Sequence, residues 1–246
     1  NVTGFDVGTN FEYLDDLRFG LSTRNSFEKI TTDSTASASQ KKQAGNYFDS
    51  FIGLDFFYDK RNQKYQTTSG FFSAYNMNMP VLSEINTLTN TYNYKIFKEL
   101  YENNVSTFSF LFKSANSLTD DDIKLSERLY IPGKKLRGFE SGKIGPKDGS
   151  DFIGGNYVSS INATTTIPMI LENVQNVDIV MFADAANVWG VDYNGSLDKN
   201  GIRSSIGIGI DWLTAVGPLT FSFAQPITKE PTDIEESFRF NIGTSF

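Results

Sequence analysis

Apolar and polar residues alternate one by one along this chain, in repeated stretches long enough to cross a bilayer. In the first stretch Phe5, Val7, Phe11 and Tyr13 are interleaved with Asp6, Gly8, Asn10 and Glu12. The second sets Leu17, Phe19, Leu21 and Thr23 against Arg18, Gly20, Ser22 and Arg24. A third sets Phe48, Ile52, Leu54, Phe56 and Tyr58 against Asp49, Gly53, Asp55 and Asp59. Further stretches run from Phe71 to Met79, Tyr92 to Tyr101, Val105 to Lys113, Tyr157 to Ile167, Val177 to Val188, Ser204 to Leu213, Leu219 to Gln225 and Phe238 to Phe246. A period of two sends successive side chains to opposite faces of a strand, so each stretch predicts a β-strand with one apolar and one polar face. The count is about eleven strands of roughly ten residues, the length a tilted strand needs to span a bilayer.

A soluble sandwich or lipocalin-like barrel also alternates, with its apolar face turned inward. Typical soluble strands are shorter, at about five or six residues. Here the polar face is rich in Gly, Ser and Asn with few charges, which suits a wet lumen. The apolar face carries aromatics near the strand ends, and the chain has 22 Phe and 11 Tyr against 2 Trp. Such a distribution resembles the aromatic girdles of membrane barrels.

The connections carry independent information, because long and short ones alternate. Lys29 to Asn46, Leu82 to Thr91, Ser114 to Asn156, Trp189 to Arg203 and Thr228 to Ser237 are the longer set. Leu14 to Asp16, Glu102 to Asn104, Leu171 to Asn176 and Thr214 to Pro218 are the shorter set, and Lys60 to Ser69 is intermediate. Long loops on one side and short turns on the other mark an outer-membrane barrel and put Phe246 at the periplasmic rim. The expected fold class is therefore all-β: a transmembrane, antiparallel, up-and-down β-barrel. An odd number of strands leaves an edge unpaired in lipid, so residues 1–246 are expected to form part of a larger barrel. The opening Asn-Val-Thr-Gly-Phe-Asp lacks a basic segment followed by an apolar one, and the expectation is that the chain starts inside a longer protein.

Composition removes several function classes. With no Cys there is no disulfide, thiolate metal site or Cys nucleophile, and with no His the usual general base and commonest metal ligand are missing. A Ser-His barrel hydrolase is thereby set aside, and no catalytic residue, cofactor or metal is expected. The net charge of -7 argues against nucleic acid as a partner. Asp120-Asp121-Asp122 lacks the spacing of a calcium loop, and Gly207-x-Gly209 lies mid-strand with no helix to follow.

Five motifs stand in order along the chain. Tyr58-Asp59-Lys60-Arg61-Asn62 is followed by Thr68-Ser69-Gly70. Leu136-Arg137-Gly138-Phe139-Glu140 lies in the longest loop, between Glu127-Arg128-Leu129-Tyr130 and Gly154-Gly155-Asn156. After these come Phe182-Ala183-Asp184-Ala185-Ala186-Asn187-Val188-Trp189, then Gly217-Pro218 through Gln225-Pro226, then Phe238 through Phe246. In this order they resemble the C-terminal part of the barrel of the BamA family of outer-membrane assembly factors, the surface antigen family. The likeness is strong from about Glu127 onward and weaker upstream.

The resemblance implies about sixteen strands in the whole barrel, preceded by POTRA domains that this chain lacks. It implies a long loop, about residues 114–156, folded into the lumen with Arg137, Gly138, Phe139 and Glu140 at its tip. It also implies that Arg137 is anchored on Asp184, which faces the lumen by parity, since a desolvated guanidinium needs a carboxylate. The family's second acidic contact has no counterpart in Asn162-Ala163-Thr164-Thr165-Thr166, so the expectation is either a weaker anchor or substitution by Glu140 or Asp211. Phe238, Phe240, Asn241, Ile242, Gly243 and Phe246 would form a seam strand whose edge can receive an incoming strand.

The implied activity is a non-enzymatic outer-membrane insertase that folds and inserts other β-barrels. A TamA-like translocation and assembly factor is the alternative within the resemblance, and a two-partner secretion transporter is the one from another class. Implied partners are unfolded outer-membrane proteins, assembly lipoproteins bound through the POTRA domains, the bilayer and lipopolysaccharide.

Overall fold

In the computed structural model, which describes residues 1–167, 176–198, 200–214 and 217–243, the alternating stretches become one antiparallel wall. Its first six strands are β1 (Val2–Leu14), β2 (Leu17–Ile30), β3 (Gly45–Asp59), β4 (Gly70–Ser83), β5 (Thr87–Tyr101) and β6 (Asn104–Ser117). A short helix, α1 (Ala38–Lys42), interrupts the loop between β2 and β3. After β6 comes the long loop, with three two-residue strands: β7 (Gly138–Phe139), β8 (Lys147–Asp148) and β9 (Asp151–Phe152). The wall resumes with β10 (Tyr157–Thr166), β11 (Val177–Trp189), β12 (Arg203–Thr214) and β13 (Gly217–Thr228). A two-residue β14 (Glu235–Glu236) precedes the last wall strand, β15 (Phe238–Ile242). The wall runs β1-β2-β3-β4-β5-β6-β10-β11-β12-β13-β15, an 11-stranded sheet in chain order with β1 and β15 at its two edges.

Exposure decides between the membrane and soluble versions of the alternation. Asn162 is 7% exposed beside Ile161 at 47%, and Ser205 is 1% exposed beside Ile206 at 52%. Polar side chains are buried and apolar ones are outside, the reverse of a soluble barrel. On that outer face aromatic rings step across neighbouring strands: Phe11 to Phe19 at 5.4 Å, Phe19 to Phe56 at 5.1 Å, and Phe56 to Tyr75 at 6.4 Å between centroids. Cross-strand aromatic pairs of this kind hold the register as well as facing lipid.

The short-turn side is built tightly. The β1–β2 hairpin closes with Leu14 opposite Leu17 and turns through Asp16 at φ 66°. Asn103 at φ 60° serves the same purpose between β5 and β6. Two-residue hairpins favour residues that tolerate left-handed backbone. In the third turn Arg61 Nη2 lies 2.7 Å from Asp59 Oδ2, and Lys60 Nζ reaches Asp16 Oδ2 of the neighbouring hairpin at 2.6 Å.

Two expectations are corrected. The connection expected from Leu82 to Thr91 is tight, because β4 runs to Ser83 and β5 already starts at Thr87. Thr87 to Thr91 carries no apolar face to betray a strand, yet Thr and Asn there pair with β6 from Ser117 to Lys113. The long loop likewise begins at residue 118 rather than 114, since β6 continues to Ser117. The last strand is laddered from Phe238 to Ile242, and Gly243 then turns to φ 108°; Phe246 lies outside the described residues.

Candidate functional site

The long loop enters the lumen and packs on the inner wall. Ile131, Leu136, Phe139 and Ile144 from the loop form an apolar cluster with Val158 of β10 and with Ala186 and Val188 of β11. Inner-wall positions that would otherwise face water are apolar where the loop covers them, so the loop docks on a built surface.

At the tip, Arg137 Nε lies 2.7 Å from Asp184 Oδ2 and its Nη2 lies 2.8 Å from Oδ1, a bidentate pair. The Arg137 backbone N–H also donates to Asp184 Oδ2 at 3.1 Å. The Asp184 side chain is fully buried and that of Arg137 is 14% exposed. The guanidinium stacks on Phe182, 3.3 Å from the ring centroid, a cation-π contact that strengthens as water is excluded. Phe182 has room to lie flat because Gly207 is its cross-strand partner; a Cβ there would come within 2.4 Å of the ring.

The expected second acid is replaced by an amide. Asn162 Nδ2 donates to Asp184 Oδ1 at 2.9 Å and to the Lys135 carbonyl at 2.8 Å, tying wall, anchor and loop together. Glu140 is exposed, and its backbone N–H donates to the Ile234 carbonyl at 2.9 Å. Among the described residues neither Glu140 nor Asp211 forms an ion pair with Arg137. A neutral amide orients Asp184 without adding a second charge to neutralise, which suits a site already holding one carboxylate and one guanidinium. Nearby, burial pushes the Lys135 amine down to about 8, helped by repulsion from Lys95 and opposed by Asp184.

Gly138 makes the turn that aims Arg137 at Asp184. Its φ is 92°, and a Cβ would stand 3.3 Å from the Cβ atoms of both Ala224 and Ser205. We predict that Gly138→Ala costs about 1–3 kcal/mol of loop docking from backbone strain and crowding together. Gly142→Ala serves as the control, since φ is 75° there and nothing lies within 4 Å. Urea midpoints of the folded barrel should fall further for Gly138→Ala; equal losses would remove the close approach from the explanation.

Three anchors escaped the sequence reading. Lys124, wholly buried, reaches Asp49 Oδ2 at 2.5 Å, Glu127 Oε1 at 3.3 Å and Glu28 Oε2 at 3.7 Å. Arg128 pairs with Asp192 and donates to Asn156 Oδ1 at 3.2 Å. Arg203 Nε lies 2.9 Å from Asp233 Oδ2 with both side chains buried. Apart from Glu127, three residues from Lys124, the partners lie about 30 to 100 residues away, so only the fold reveals them.

The segment leading into the terminal strand is bound to the loop. Glu236 pairs with Gly138 and Glu235 with Phe139, so β14 ladders on β7 inside the lumen. Phe238, Phe240 and Ile242 point outward, and Asn241 lies opposite Thr220 of β13.

An eleven-stranded, lipid-facing sheet with an arginine-pinned loop in its lumen defines a membrane β-barrel of the kind that holds a folded-in loop. The Omp85 superfamily domain matches residues 1–246, and the chain belongs to that superfamily, whose place is the outer membrane. It is 32% identical over 154 residues to the outer membrane protein assembly factor BamA of Neisseria meningitidis serogroup B, covering 51% of this chain and 19% of that protein. To BamA of Neorickettsia risticii it is 24% identical over 251 residues, covering 99% of this chain and 34% of the relative. A SAM50-like protein of Schizosaccharomyces pombe is 27% identical over 141 residues, covering 53% and 29%. The crystal structure of BamA from Haemophilus ducreyi lacking POTRA domains 1-3 shares the fold with a TM-score of 0.89 at 22% identity, over 97% of this chain and 53% of that one. The chain thus spans a fifth to a third of these two bacterial relatives.

Proposed function

We propose that this chain is the C-terminal part of a larger outer-membrane barrel whose whole protein folds and inserts other β-barrel proteins, without enzymatic chemistry. The observation that carries the reading is the arginine-pinned loop laddered directly onto the segment that feeds the terminal edge. An open edge offers backbone donors and acceptors to an incoming strand, and substrate folding itself supplies the free energy. The two unjoined edges, β1 and β15, and the share of each relative that is covered support a larger barrel. Arg137, Gly138, Phe139 and Glu140 act as the lumenal tip, Asp184 as its anchor, and Phe238 to Gly243 with Phe246 as the seam. Partners follow from the reading: unfolded outer-membrane proteins at the seam, assembly lipoproteins at POTRA domains outside this chain, and the bilayer with its lipopolysaccharide around the wall.

The test is reconstitution of the complete parent protein into liposomes, with and without Arg137→Ala. The expected result is faster folding of an added unfolded barrel protein, lost or much reduced in the variant. Steady ion conductance with no acceleration would overturn the insertase and leave a secretion pore.

A further inference from the structure

Among the described residues, the last wall strand is held by fewer ladder pairs than the others. Within the described residues β15 meets β13 from Phe238 opposite Phe223 to Ile242 opposite Leu219, whereas β10 meets β11 from Tyr157 to Thr166. Beyond Phe238 the chain leaves the wall: Ser237 still accepts from Ala224 N at 2.9 Å, but residues 234–236 belong to the loop tip. Ile234 N–H donates to the Lys143 carbonyl at 3.1 Å, and the β14–β7 ladder follows. One segment therefore lies half in the barrel wall and half on the lumenal loop.

At the junction sits Arg239, 9% exposed and turned inward from β15. Its Nη2 donates to the Phe139 carbonyl at 2.5 Å, Nη1 to the Gly133 carbonyl, and Nε to Glu236 Oε2 at 2.8 Å. A guanidinium is the side chain that can serve two loop carbonyls and a carboxylate at once from a fixed fork. Glu236 neutralises it from β14, the half of the segment that lies on the loop. We infer that Arg239 is a positioning residue that couples the terminal edge to the lumenal loop, so that the edge frays or holds according to whether the loop is docked. The coupling stands on contacts alone; its consequence for substrate rests on the insertase reading above.

The experiment uses the complete parent protein in liposomes, with Arg239→Gln, Arg239→Lys and Glu236→Gln. Amide hydrogen exchange over 234–242 should rise at least tenfold in Arg239→Gln, while exchange at Asp184 and its strand neighbours changes less than threefold. Arg239→Lys keeps the charge near Glu236 but cannot serve both carbonyls, so it should recover part of the protection. Glu236→Gln, a milder change, should give a smaller rise in the same segment. A change under twofold over 234–242, or an equal rise along the whole wall, would overturn the coupling. Substrate folding by the same liposomes should slow at least threefold in Arg239→Gln. If the unaltered protein accelerates no folding while local exchange behaves as stated, the insertase reading fails and the coupling stands.

Discussion

Arg137→Ala should free the loop tip and lower the stability of the docked barrel by about 3–5 kcal/mol, the range for removing one partner of a buried pair. The size follows from what is left behind. Asp184 has no exposed side-chain surface, so its charge would rest on Asn162 Nδ2 at 2.9 Å and on the residue-137 backbone N–H, provided the loop stays in place at all. The guanidinium also leaves the face of Phe182, adding the loss of a cation-π contact. Replacing both partners, with Arg137→Met and Asp184→Leu together, removes both charges and should recover most of the stability, since an apolar pair of similar volume is often neutral or better. Urea unfolding of the liposome-embedded parent protein, unaltered, with Arg137→Ala and with the double change, reads all three states. A single-variant loss within about 0.5 kcal/mol of zero would mean that the ion pair does not hold the loop.

Much of this was legible because membrane barrels write their fold in period two. β1, β2 and β3 follow from alternation alone, and so does the inward direction of Asp184. Legibility failed where alternation loses its contrast: Thr87 to Thr91 extends β5 with Leu88 as its single apolar side chain among Thr and Asn. It failed again where partners are far apart in sequence. Arg137 and Asp184 were paired by resemblance to a known motif, but Lys124 with Asp49, Arg203 with Asp233 and Arg239 with the Gly133 and Phe139 carbonyls carry no local signal. The amide of Asn162 shows the other limit. A site expected to need a second carboxylate is completed by a neutral group, because what Asp184 needs is a donor to orient it rather than more charge.

The second large effect is expected at Lys124, and its sign depends on pH. Burial by itself pushes the Lys124 amine down, but the hydrogen bond to Asp49 and the charges of Glu127 and Asp49 outweigh it and hold the amine above its usual value. The native state therefore gains from a charged Lys124 throughout the neutral range, and loses that gain only as pH rises through the elevated value. Lys124→Met keeps the packing of the stem and removes the charge, leaving Asp49, Glu127 and Glu28 facing one another around an empty centre. We expect a loss of about 3–5 kcal/mol near neutral pH. Burial already raises Glu127, against the hydrogen bond from Thr87 and the pull of Lys124. A carboxyl raised in the native state destabilises while ionised, and that penalty disappears as pH falls through its folded value. Removing Lys124 moves that window further up, so the deficit of the variant should be largest at neutral pH and shrink as pH falls into the acid range. Urea midpoints across that range decide the matter. A deficit that stays constant with pH would assign the loss to packing, and the three carboxylates would then have no part in holding the loop to the wall.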